Sequence, residues 1–219
     1  MTAFPGSPRL LKGGIVLIDP DTSAVLRVIA LQYNPDTLTR TLQVKGVGAE
    51  SGDRSEVLRL KGPPSETIKV DVEIDATDRL ETAQPGDTVL QLGIHPQLAA
   101  LETIIYPPSL QLIVNNVLAQ AGAVEIAPAE SPLTLFIWSQ TRILPVRLTE
   151  FSITEEAFDP SLNPIRAKVS LGMRVLNVDD LGFDHIGGNL FMVYQMQKEL
   201  LATMNQGGGL SALGIRGIP

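Results

Sequence analysis

The sequence predicts a mainly β fold with one or two helices, and three observations carry that reading. In the first, Ile165, Ala167, Val169, Leu171, Met173 and Val175 alternate with Arg166, Lys168, Ser170, Gly172 and Arg174. A period of two over so many residues means a long strand with one buried and one cationic face, whereas a helix would mix the arginines and aliphatics on every side. In the second, Ile68, Val70, Val72 and Ile74 alternate with Lys69, Asp71, Glu73 and Asp75, giving a matching strand with an acidic face. In the third, hydrophobic residues make up 44% of the chain but aromatics only 5%, so the core must be built from Val, Ile, Leu and Ala, and the branched ones cluster in strands.

The remaining elements follow in order. Residues 1–14 carry Pro5, Gly6, Pro8, Gly13 and Gly14 and read as an extended arm. Residues 15–18 and 25–33 form a hairpin reversing at Asp19-Pro20-Asp21 and ending at Asn34-Pro35. An extended segment follows over 38–44, then a long Gly-, Ser- and charge-rich loop over 45–64 that holds Asp53 and Arg54. Beyond the strand at 66–75, residues 78–91 show no clear period. Pro96 opens a short helix with Leu98, Leu101, Ile104 and Ile105 on one face, Pro107-Pro108 stops it, and His95 at its start has a capping or solvent role. Residues 109–130 read as one more strand or short helix and then a loop.

Residues 133–138 form an apolar strand with the single tryptophan, Trp138, in the core. In 142–153, Val146, Leu148 and Ile153 do not keep one parity, which calls for a bulge near Glu150. An acidic connection follows with Glu155, Glu156, Phe158, Asp159 and Pro160. Neighbouring carboxylates on an extended chain point to opposite faces, so Glu155 and Glu156 read as a solvated turn. If the acidic and basic strands are neighbours, cross-strand charge pairs fix their register. A polar loop at 178–188 leads into a helix that starts at Gly188 or Asn189 and runs through Ala202, with Leu190, Tyr194, Gln197 and Leu201 in line, and then a glycine-rich tail. The expected organisation is an arm at 1–14, a β domain at 15–186, and a helix with a flexible tail at 187–219.

Composition narrows the function. A net charge of -7 disfavours nucleic acid and anionic membranes, which reward basic patches. With no cysteine there is no disulfide framework and no thiolate metal site. No apolar run approaches the ~18 residues of a spanning helix, and no signal-peptide core follows the first basic residues. The expectation is cytoplasmic synthesis without a signal peptide and no direct membrane insertion. No phosphate loop, nucleophile elbow or paired metal ligands are present. Asp19-Pro20-Asp21 lacks the glycine and terminal glutamate of a calcium loop, and Asp179, Asp180, Asp184 and His185 match no ligand spacing. No catalytic, cofactor-binding or metal residue is assigned. A β-rich ligand-binding module or a carboxylate-dependent hydrolase is the alternative to a structural role.

Four stretches, LQYNPDTLTRTL (31–42), HPQLAALETIIYPP (95–108), LTLFIWS (133–139) and FDPSLNPIRAKVSLGMRVL (158–176), resemble the tube-domain family of contractile injection systems, which is similar in fold to the tail-tube proteins of contractile phages. They occur in the family's order and span most of residues 15–180. The resemblance implies a tail-tube-like β-sandwich or barrel that assembles as a hexameric ring around a lumen, with no enzymatic role and no cofactor. It is nearest to tube initiators or hub-to-tube adaptors, which implies the spike or hub protein, the inner tube protein and other baseplate proteins as partners. The particle would be released or cell-associated. The C-terminal helix and tail are too short for the peptidoglycan-binding LysM module that such members often carry. Implied subunit-interface or lumen residues are Asp53, Arg54, Asp71, Glu73, Asp75, Glu155, Glu156, Phe158, Arg166, Lys168 and Arg174. Six copies sum to about -42 formal charges. Either the acids of 71–75 or the cations of 166–174 line the lumen, with opposite consequences for cargo.

Overall fold

Alternating apolar residues over most of the chain produce strands β1 (Gly14–Ile18), β2 (Val25–Ala30), β3 (Leu38–Gln43), β4 (Ser65–Asp75), β5 (Leu133–Ser139), β6 (Arg142–Glu155) and β7 (Arg166–Val175). The structure, a computed structural model, describes residues 11–46, 59–122, 131–205 and 209–218. The strands form one antiparallel sheet in the order β2-β1-β5-β6-β7-β4-β3. The mainly β class predicted from the sequence is the class observed. Helices α1 (Thr77–Thr82), α2 (Thr88–Leu92), α3 (His95–Glu102) and α4 (Ser109–Gln120) lie between β4 and β5, and α5 (Val178–Leu181) and α6 (Ile186–Met204) follow β7.

The two strands with matching alternation are neighbours. From Thr67↔Arg174 to Asp75↔Arg166 they pair without interruption, which sets Glu73 opposite Lys168. In β6 the register shifts between Leu148 and Glu150, so Leu144, Val146 and Leu148 point to the same face as Phe151 and Ile153. This is the bulge that the parity slip requires. Gly172 lies opposite it, where a Cβ would press on the Glu150 Cβ. The hairpin between β1 and β2 turns on Asp19, whose Oδ1 accepts the backbone N–H groups of Asp21 (3.1 Å) and Thr22 (2.8 Å).

In a flat sheet β2 and β4, first and sixth in order, would stand about 24 Å apart at ~4.8 Å per strand. Instead the Gln32 side chain, just past β2, donates to the Asp75 carbonyl (2.6 Å) and accepts from the Asp75 N–H (3.0 Å) at the end of β4. These are the two bonds a neighbouring strand would make, so the sheet curls towards closure while its two outer strands stay unpaired with each other. The curl encloses a core in which Ile15, Phe136, Leu144, Ile68, Val72, Val169 and Met173 pack with Leu98 and Leu101 of α3 and with Phe191 and Tyr194 of α6. Trp138 is partly buried against this core and stacks on Phe136 at 5.8 Å. A second cluster, Ile18, Leu133 and Leu135, packs with Leu181, Ile186 and Leu190.

The C-terminal helix starts earlier than expected because His185 caps it, its Nδ1 accepting the Gly187 N–H at 3.0 Å. Its inward face is Gly187, Gly188, Phe191 and Tyr194, and Leu201 is exposed. Glu66, only 3% exposed, pairs with Arg40 at 2.7 Å, and Arg40 donates to the Tyr194 hydroxyl at 2.9 Å. Lys198 sits 4.3 Å from the Tyr194 ring centre. Helix α6 packs on β6, and these contacts tie it to β3 and β4 as well.

Gly93 joins α2 to α3 at a φ of 56°, and an added Cβ would collide with the Pro164 carbonyl oxygen in the β6–β7 connection, which also accepts the Ile94 N–H at 2.9 Å. Left-handed strain and a backbone clash combine here. Gly93→Ala is therefore expected to lower stability by at least ~2 kcal/mol, measured by urea unfolding. Gly86→Ala, in open space though also at positive φ, provides the strain-only control.

Candidate functional site

Because β4 and β7 are adjacent and in register, Asp71, Glu73, Asp75, Arg166, Lys168 and Arg174 all lie on one face of the sheet. The acidic and basic linings that the sequence sets as alternatives are therefore a single surface. β6 extends it with Arg147, Glu150, Ser152 and Thr154, and β3 with Thr39 and Thr41. The charges are largely matched internally. Arg166 pairs with Asp75 at 2.6 Å and lies 3.8 Å from Glu73, Lys168 pairs with Glu156 at 3.0 Å, and Lys69 pairs with Glu150 at 2.7 Å. Arg174 reaches Asp180 in α5, and the Ser170 hydroxyl donates to Asp71. Lys168 takes Glu156 as its partner although Glu73 is directly opposite it in the ladder.

Asp75 is the best-anchored charge. Burial pushes its carboxyl up, but bonds from the Thr77 hydroxyl and backbone N–H and from the Arg166 guanidinium outweigh burial and hold it below the ordinary carboxylate value. The surface pairs Lys69–Glu150 and Lys168–Glu156 are largely exposed and add little stability. A shallow groove of about 370 Å³ runs over this face between Thr39, Lys69, Asp71, Glu150 and Ser170. Its two carboxylates are held by Lys69 and Ser170.

The acidic connection after β6 is a closed turn. Asp159 accepts the N–H groups of Ser161 and Asn163 and the Asn163 side-chain amide, and the Asn163 bonds, side chain first, hold its carboxyl low. Glu155 aligns with Ala167 and Glu156 pairs with Lys168, so the two neighbours do point to opposite faces. Phe158 stands half exposed on this turn. Asp53 and Arg54 lie outside the described residues. The carboxylates after β7 are occupied locally: Asp179 pairs with Lys45, and Asp180 pairs with Arg174 and also accepts the Asn177 N–H in a capping box at the start of α5. Among the described residues no three His, Asp or Glu side chains gather as a metal site, and no helix is long and apolar enough to cross a membrane.

Sequence reading missed two surfaces. The edge strand β2 exposes Val25, Leu26 and Val28. Helix α4 turns Gln111 and Asn115 towards the protein, bonded to each other at 3.1 Å, and leaves Leu110, Ile113, Val114 and Val117 exposed. The i, i+3, i+4, i+7 spacing of those four residues after Pro107-Pro108 was the available signal for the helix. Nothing local revealed that it is inverted.

No protein-family model matches the chain, and no curated protein does. Among solved structures, one similar chain belongs to the tail of an empty GTA (gene transfer agent) particle refined helically with C6 symmetry. It is 14% identical, with 80% of this chain and 95% of that chain covered, at a TM-score of 0.29. At that identity and score the likeness defines neither a family nor a function.

Asp75→Asn removes the anchored charge and leaves Arg166 facing an amide. The expected loss is about 1.5–3 kcal/mol at pH 7, the range for hydrogen bonds to charged groups. Since the folded carboxyl titrates below its unfolded value, the contribution is complete above the unfolded value and disappears as pH falls through the folded one. Urea midpoints of the variant and the parent should thus begin to converge as pH falls below about 4 and meet once it has fallen through the folded value.

Proposed function

We propose that this chain is a structural subunit of a phage-tail-like contractile injection particle, forming a six-copy ring that starts or adapts the inner tube on the spike hub. The observation that carries this reading is a sheet that curls towards closure yet, among the described residues, keeps two free edges, β2 and β3, at the ends of its strand order. Free edges invite pairing, and a closed ring of copies is one way to remove them without forming an open fibre. The ordered resemblance of residues 31–42, 95–108, 133–139 and 158–176 to tube domains supports the same reading. The hub, the inner tube protein and neighbouring baseplate proteins are the proposed axial partners, and the particle carries the chain wherever it is deployed.

In this ring the polar face of β4, β6 and β7 lines the lumen. The acids on that face are matched by cations on the same face, so the lumen would be hydrophilic without a strong single-sign field. It would discriminate cargo by size more than by charge.

Native mass spectrometry and negative-stain imaging test the reading. The expected result is a six-copy species of about 140 kDa from the 23.5 kDa chain. Val28→Lys on the β2 edge should lower the ring fraction while the monomer unfolds at an unchanged urea midpoint, because a surface substitution changes stability by only about ±0.5 kcal/mol. Monomers alone, together with absence from assembled particles, would contradict the proposal.

A further inference from the structure

Among the described residues, two apolar helical surfaces of this chain have no partner within it. The first is the outward stripe of α4, where Leu110 is 71% exposed and Ile113, Val114 and Val117 continue the row; α4 contains no charged residue. The second is on α6. Every residue from Glu199 to Met204 is exposed, so the helix runs on past the sheet that supports its first turns. Val193, Met196, Leu200 and Met204 form an apolar stripe there, with Met204 63% exposed. At 1.5 Å per residue, α4 is about 18 Å long and the α6 stripe about 17 Å. The methionines suit an adaptable contact surface.

The positions of the two stripes fit the two sheet edges. A groove of about 840 Å³ lined by Leu26, Ile105, Tyr106, Leu110 and Leu112 joins α4 to β2, and Arg27 of β2 donates to the Ala100 carbonyl and the Thr103 hydroxyl at the end of α3. At the other end of the strand order, α6 is tied to β3 and β4 through Tyr194, Arg40 and Glu66. Where the β2 edge of one copy meets the β3 edge of the next, α4 of the first therefore comes beside α6 of the second.

We infer that the α6 stripe of one copy docks on the outward α4 stripe of its neighbour, as a helix seam alongside the joined sheet edges. The inference rests on the ring reading above. Two different surfaces on one chain make a head-to-tail contact, which closes into a ring when the rotation between copies divides a full turn, whereas an α4-to-α4 contact would stop at a pair and leave α6 bare. A single seam of three turns falls short of the ~800 Å² per partner of a standard stable interface. The seam is thus suited to a ring in which the sheet edges supply the remaining area. Neither stripe carries a charge that would add to the repulsion between copies of net charge -7.

Because the chain has no cysteine, single-cysteine cross-linking tests the seam directly. Val117→Cys and Leu200→Cys, both at exposed positions, are made separately, mixed in equal amounts and treated with a short bismaleimide. The mixed Val117–Leu200 dimer should be the main cross-linked band, and the double variant should give a ladder that ends at six. Leu200→Glu should lower the ring fraction at an unchanged unfolding midpoint. Predominant Val117–Val117 dimers would overturn the seam in favour of a two-fold contact. Rings by native mass spectrometry with no mixed dimer would overturn the seam and leave the ring standing. Monomers with no cross-link would overturn both.

Discussion

The fold depends on the antiparallel pairing of β4 with β7. Nine consecutive residues on each strand face one another without a bulge. On the core side Ile68, Val70, Val72 and Ile74 meet Met173, Leu171, Val169 and Ala167, all nearly inaccessible to water. Burying each larger side chain is worth about 1.5–3 kcal/mol, while a cross-strand pair on the polar side is worth roughly 0.2–1 kcal/mol. The apolar face therefore holds the strands together. The apolar pattern also sets the register, since a one-residue slip would carry every aliphatic residue to the wet face, and the Arg166–Asp75 pair opposes a two-residue slip.

This ladder also explains which parts of the fold could be read from the sequence. The two alternating strands, the bulge before Glu150 and the turn at Asp19 are local patterns, and each is legible in residues close together in the chain. The pairs that organise the surface are not. Lys69 reaches Glu150, and Gln32 reaches Asp75, across long sequence separations that only the strand order brings together. Helix α4 shows the same limit. Its spacing specifies a helix, but its outward apolar stripe follows from where the insertion between β4 and β5 sits on the sheet, and no local pattern records that. The sequence leaves the acidic and basic strands either as neighbours or as rival linings; their adjacency makes them one matched surface.

The proposed assembly rests on the sheet edges and the helices beside them. Gln32 ties the curled sheet together without pairing its outer strands, so among the described residues two edges of different sequence stay unpaired. The inverted helix lies beside one edge, and α6, which packs on β6, is tied through Tyr194 to Arg40 of the strand at the other. In the proposed ring, neighbouring copies would cover both arrangements.

An image reconstruction of the assembled particle tests the central claim most directly. The account predicts six copies of this chain in one ring, with the β4–β7 ladder on the lumen side and β2 of each copy against β3 of the next. A density in which the chain is monomeric, or in which the ladder's polar face points away from the axis, would contradict it.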